Sequence, residues 1–214
     1  MARKQAARQE KPSLWEVQKQ ERRRAVLLAA KALIAAKGYD KPTIEDIAAA
    51  AGLSTPTVYN YFGTKLDLLI ALYLEDREIA LSEITTIVAK SWKDPLDFFL
   101  AVLEADLRED ADVPSHALWR QIAAAEVTEN EGRHHATFKA INDRHMSAVT
   151  TGVRKMVDEG LLIPDTDVKA VAELFRYLSE GLYRKVVATT DTRFAAFKSD
   201  AKRQLKVMLA GIRA

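Results

Sequence analysis

The sequence predicts an all-α protein: a three-helix helix-turn-helix unit followed by a larger helical bundle. Three observations carry the fold class. Strand-type alternation of apolar and polar residues is missing. Gly (8) and Pro (6) are few and fall where helices should end. Apolar residues recur at steps of three and four along most of the 214 residues.

The first helix is expected from Ser13 or Leu14 to Lys37, with Leu27, Ala30, Leu33 and Ile34 on one stripe. Gly38 then stands where a left-handed residue ends a helix. In "KPTIEDIAAAAG", Thr43 reads as an N-cap with Asp46 at the third position, Ile44 and Ile47 point inward, and Gly52 turns the chain. "STPTVYNYFG" is a short helix with Ser54 as N-cap, Pro56 tolerated in the first turn and Gly63 as terminator. Thr64 and Asp67 restart a long helix, "KLDLLIALYLEDREIALSEITTIVAK". Further helices are expected near 94–110, 115–130, 133–159, 167–188 and 192–213, with Gly160-Leu161 as a helix end and Asp167 as a cap. The last two carry strong stripes: Val171, Phe175, Leu178, Leu182 and Val186, then Phe194, Phe197, Ala201, Leu205, Met208 and Ile212.

Composition narrows the classes. The length suits one domain, or a small module joined to a larger one. Hydrophobic (48%) and charged (29%) fractions are those of a soluble globular chain. No apolar run approaches the roughly 18 residues of a membrane span, and "MARKQAARQEKPSLWEVQ" lacks the apolar core of a signal peptide, so a cytoplasmic protein with no membrane partner is expected. The absence of cysteine excludes disulfides and thiolate metal sites. The net charge of +2 is uneven: residues 1–65 hold 12 Lys and Arg against 6 Asp and Glu, leaving 20 against 24 for the rest. A basic N-terminal third suits a polyanionic partner, or is a solvated basic tail.

Two short helices about a glycine turn make a helix-turn-helix. In the second, Val58 and Phe62 point inward with Leu53, whereas Thr55, Pro56, Tyr59 and Asn60 face outward. Hydroxyls and amides can bond phosphate oxygens, and Pro or Thr can touch a thymine methyl. Lys65 lies where it can reach a phosphate.

The string "TIEDIAAAAGLSTPTVYNYFGTKLDLL" closely resembles the DNA-binding signature of the TetR family of bacterial transcriptional regulators. The matching positions are Thr43, Ile47, Ala48, Ala51, Gly52, Ser54, Thr57, Tyr59, Tyr61, Phe62, Lys65, Leu68 and Leu69, and the resemblance covers about residues 20 to 73. It implies that Thr55, Pro56 and Tyr59 approach base edges. Thr43, Thr57, Asn60, Tyr61 and Lys65 would hold the DNA backbone, while Ile47, Ala48, Val58 and Phe62 pack the unit. Pro56 is a mild departure, since Gly or Ala is as usual there.

The expected domains are a basic leader (1–13), a DNA-binding domain (14–65) and a ligand-binding and dimerisation domain (66–214). One helix-turn-helix contacts too few bases to stand out from nonspecific DNA, and a dimer reading two half-sites of a palindromic operator remedies this. The resemblance implies a homodimer through residues about 167–213, a repressor rather than an activator, and release from DNA by a small-molecule effector. An alternative is a DNA-bound adaptor that recruits a protein and senses no ligand. Phe99, Leu103, Trp119, Ile122, Phe138, Ile141, His145 and Phe175 are the candidate ligand residues. His145 lies on the stripe of Phe138, Ile141, Val149, Gly152 and Met156, so its ring either meets a ligand or bonds a neighbouring helix. Enzyme chemistry, cofactor and metal are not expected. Glu131 and His134 form a single E-x-x-H pair where a di-iron site needs two, and His116, His134, His135 and His145 make no zinc motif. No phosphate loop or nucleophile elbow occurs.

Overall fold

The computed structural model describes residues 13–107, 121–125, 132, 134–188 and 194–214, with backbone alone at 186–188 and 194–196. The leader up to residue 12, His116, Trp119 and Glu131 lie outside these residues, as do the side chains of Val186 and Phe194. The described elements are helices: α1 (Leu14–Lys37), α2 (Ile44–Ala50), α3 (Thr55–Phe62), α4 (Lys65–Ala89), α5 (Pro95–Leu107), α6 (His135–Asp158), α7 (Val168–Ala188) and α8 (Phe194–Leu209). Residues 121–125 are also helical. Contacts divide the chain into two compact units that meet at Leu68 and Leu69, within α4.

In the first unit, local capping sets the helix starts. Ser13 and Glu16 form a reciprocal box at α1, as do Thr43 and Asp46 at α2, so amides that a helix start leaves unpaired are satisfied by side chains. Thr64 and Asp67 do the same for α4: Thr64 Oγ1 donates to Asp67 Oδ2 at 2.6 Å and accepts from the Asp67 amide at 3.1 Å. Gly38 ends α1 at φ 80° and Gly63 ends α3 at φ 68°, backbone values that a side chain resists. Val26, Leu27, Ala30 and Ile34 of α1 meet the buried faces of α2 and α3.

The second unit has one large apolar core. Phe98, Phe99 and Phe175 are its largest fully buried side chains, with Phe98 edge-on to Phe99 at 5.2 Å and Phe99 tilted on Phe175 at 4.9 Å. Here α6 packs along α7, and α5 along α8. Lys155 of α6 donates to the carbonyls of Val88, Ala89 and Lys90 at 3.3, 2.9 and 2.8 Å, placing an ammonium on the negative end of α4. Leu161 N–H reaches back to Met156 O at 2.8 Å and closes α6, and Asp167 Oδ1 caps α7 through the Ala170 amide at 3.0 Å.

The expected last helix extends too far. It stops at Leu209 instead of residue 213, because the terminal chain pairs with the segment after α6. Ile163 N–H donates to Ile212 O at 3.0 Å, Ala214 N–H to Leu161 O at 3.3 Å, and an antiparallel bridge joins Leu162 to Arg213.

Candidate nucleic-acid interface and cavity

Gly52, at φ 67°, turns the chain between α2 and α3, and Leu53 N–H donates to Ala48 O at 2.9 Å to close the turn. Ser54 Oγ accepts from the Thr57 amide at 3.4 Å and lies 2.7 Å from Thr57 Oγ1. Val58 and Phe62 are buried, four residues apart, and hold the inner face of α3. Pro56, Tyr59 and Asn60 are exposed, and Thr55, Thr57 and Tyr61 are half-buried. Tyr59 keeps 45% of its surface open although its neighbour Val58 is fully covered. The helix therefore offers solvent a phenol, an amide and a proline ring with no charged side chain.

The two expected contact residues at helix ends are engaged within the unit. Thr43 is exposed, with its hydroxyl in the Asp46 box. Backbone and side-chain hydrogen bonds from Thr43 hold the Asp46 carboxyl below its ordinary pKa. Lys65 Nζ donates to Tyr39 O at 2.7 Å and Asp40 O at 3.3 Å, over the Tyr39 ring at 4.5 Å. Burial lowers the Lys65 pKa, with the Asp40 charge opposing. Lys65 thus ties the start of α4 to the loop after α1.

Residues 26–72 match the model of a family described as bacterial regulatory proteins, tetR family. Over these residues the chain is similar to the DNA-binding unit of that family. It is 21% identical over 193 residues to the HTH-type transcriptional regulator UidR of Escherichia coli (strain K12), covering 89% of this chain and 92% of UidR. Among solved structures it resembles a TetR-family transcriptional regulator from Mesorhizobium loti MAFF303099, with a TM-score of 0.68, 21% identity and coverage of 92% and 98%. It also resembles a transcriptional regulator from Saccharomonospora viridis in complex with choline, with a TM-score of 0.69, 20% identity and coverage of 91% and 99%. The chain shares their all-α fold.

The second unit holds a cavity of about 410 Å³. Tyr73, Arg77 and Leu81 of α4 line one side, Asp106 and Leu107 of α5 another, and Ala123 of the 121–125 stretch a third. Ile141, Asn142 and His145 of α6 and Arg176, Ser179, Glu180, Tyr183 and Arg184 of α7 complete it. Of the candidate ligand residues, Ile141 and His145 are lining. Phe99, Leu103 and Phe175 belong to the apolar core, Ile122 is buried, and Phe138 is buried with its ring 5.8 Å from that of Tyr73.

Charge dominates the wall. Buried Asp106 receives His145 Nε2 at 2.9 Å and lies 3.5 Å from Arg77 Nη1. Arg77 Nη2 donates to Asp106 O at 2.6 Å and to Asp76 Oδ2 at 3.1 Å. Burial works against the Arg77 charge, but Asp106, Tyr73 and Asp76 outweigh it and hold the guanidinium above its ordinary pKa. Arg77 Nε is buried without an acceptor, an omission worth about 1–3 kcal/mol. Arg176 pairs with Glu180 one turn along α7. The sequence reading located His145 but none of these charged partners.

Proposed function

We propose that this regulator binds a palindromic operator as a homodimer, represses transcription, and leaves DNA when a small molecule enters the cavity. The observation that carries the DNA-binding half is the outer face of α3, where a phenol, an amide and a proline stand clear of solvent-excluding contacts. Thr55, Pro56 and Tyr59 contact base edges, and Thr43, Thr57, Asn60, Tyr61 and Lys65 the sugar-phosphate backbone. Hydroxyl, amide and backbone N–H groups position a protein on phosphates, while base-edge contacts select sequence. Residues 14–65 act as the DNA reader in the cytoplasm, and residues 66–214 sense and dimerise.

Two copies place their α3 helices on half-sites roughly 34–36 Å apart. Exposed Leu174 (55%) and Tyr177 (58%) on α7 and Val207 (75%) on α8 support pairing through these helices, since water-facing large apolar side chains mark association surfaces. The cavity supports effector sensing, as does the choline held by the Saccharomonospora viridis relative. An effector releases DNA only through a difference in its affinity for the two arrangements of the dimer, carried through α4.

Footprinting on the DNA flanking the gene tests the reading, with retardation over a salt series. Salt-dependent retardation and a symmetric footprint are expected. Tyr59→Ala is expected to weaken specific binding by about 10- to 100-fold with an unchanged circular dichroism spectrum. No retardation at low salt refutes the reading, and a complex that persists through every metabolite screened refutes the effector half.

A further inference from the structure

We infer that the N-terminal turns of α1, residues 14–24, form a second DNA-contact element that holds phosphates beside α3 through Lys19 and Arg22, an assignment that rests on the operator reading above. Val26, Leu27, Ala30 and Ile34 bury the inner face of α1. That face runs on past its own core. At about 100° per residue it continues N-terminally through Arg23 and Lys19, with Arg22 and Trp15 on its flank. All four are exposed, and Trp15 keeps 67% of its surface open. None of residues 14–24 is buried, so the side-chain types of this overhang, rather than any core it fills, show what it meets.

Those types are cationic. Residues 14–24 hold Lys19, Arg22, Arg23 and Arg24 against Glu16 and Glu21. Glu16 turns its carboxylate back on Ser13, whose N–H and hydroxyl donate to it at 2.7 and 2.8 Å, and Glu21 lies across the helix from Arg23. Lys19 Nζ stands 5.1 Å over the Trp15 ring, which holds the ammonium on the stripe. Arg23 fixes where the stripe emerges. Its guanidinium lies 5.2 Å over the ring of Phe62, the last residue of α3, and that ring is 6.4 Å from Tyr61, one of the backbone contacts proposed above. The cations therefore leave the core beside the end of the reading helix. A major groove is about 12 Å wide and packed helices stand about 8–10 Å apart, so a helix packed on one that fills the groove meets the phosphates along its border. Contacts of this kind raise affinity for any duplex and carry no sequence information.

The test is retardation by the full chain of the footprinted duplex and of a scrambled duplex of the same length, each over about 50–200 mM salt. Lys19→Gln with Arg22→Gln is expected to flatten the slope of log affinity against log salt by about 2. It is expected to weaken both duplexes about tenfold or more and to leave their ratio unchanged. Arg24→Gln removes a charge from the opposite side of α1 and is expected to keep the slope within about 0.5 of the parent. Circular dichroism checks the fold, and Lys19→Gln alone, with an expected change of about 1, decides if the pair unfolds. Equal slopes for the parent and the double variant overturn the inference. So does a flattening of about 1 by Arg24→Gln, which marks net charge in place of positioned contacts. A loss confined to the footprinted duplex overturns it in favour of base reading, and weaker self-association with an unchanged slope overturns it in favour of a protein partner. A parent that retards neither duplex refutes the operator reading and this inference together, whereas equal slopes refute this inference alone.

Discussion

Gly152 lies in α6 directly over a core ring, and adding one methyl group there tests the packing. A Cβ built at Gly152 falls 2.2 Å from Phe98 Cζ, 2.7 Å from Cε2 and 3.3 Å from Cε1. Non-bonded carbons sit about 3.5–4.0 Å apart, so the ring must retreat by more than about 1 Å. It has nowhere to go: Phe98 is 1% exposed, with Phe99 edge-on at 5.2 Å and Trp92 edge-on at 6.1 Å. Overpacking of this kind costs about 1–3 kcal/mol, here near the upper end, and alanine returns up to about 1 kcal/mol of helix propensity. Gly152→Ala is therefore expected to destabilise by about 2 kcal/mol, lowering Tm by roughly 4–8 °C in a chain of this size. Urea unfolding of Gly152→Ala, Phe98→Leu and the double variant closes the cycle. In the Phe98→Leu background the added methyl should be neutral or stabilising, a coupling far above the about 0.5 kcal/mol scatter of independent sites. A Gly152→Ala protein as stable as the parent, or the same penalty in both backgrounds, would refute the reasoning.

Tyr177→Glu with Leu174→Glu is expected to weaken self-association at least tenfold, because a charge must be desolvated wherever the apolar stripe is covered; light scattering after size exclusion reads it, and an unchanged dimer excludes α7 from the interface. Asp46, whose pKa is depressed below 3.8 first by the Thr43 amide and then by its hydroxyl, is expected to stabilise α2 above its unfolded value. That contribution is lost as pH falls through the lower folded value, so hydrogen exchange at the Thr43 amide should quicken there, and a titration midpoint at or above 3.8 would contradict it.

Helix starts were legible because their causes are local. Thr43 and Asp46, or Thr64 and Asp67, stand three residues apart, and that spacing alone closes their hydrogen bonds. The α3 termini were equally plain from Ser54 and Gly63. The end of α8 was read too far, past Gly211, although a glycine two residues beyond Leu209 is itself a stop signal. What also stops it is pairing with Leu161 and Ile163, about fifty residues earlier in the chain, a partner that periodicity cannot name. Lys65 illustrates the same limit within the DNA-binding unit: sequence position placed it near a phosphate, but not over the Tyr39 ring, 26 residues away.

The cavity was legible in two lining residues, Ile141 and His145, but in one member alone of its charged network, and the reason is physical. In "LEDREIAL", Arg77 sits among Glu75, Asp76 and Glu78, which reads as a solvated charged face. Adjacent positions on a helix point about 100° apart, so Glu78 meets exposed Arg144 while Arg77 turns inward to Asp106. A usable signal did exist. Asp106 is seven residues from Phe99 and four from Val102, on the buried stripe of α5, as His145 is four from Ile141 on α6. An acid and an imidazole each forced onto an apolar face face the same penalty if left alone, and a shared hydrogen bond removes it for both. Pairing polar intruders between apolar stripes would have joined Asp106 to His145 before any coordinates, and with them the wall that Arg77 completes.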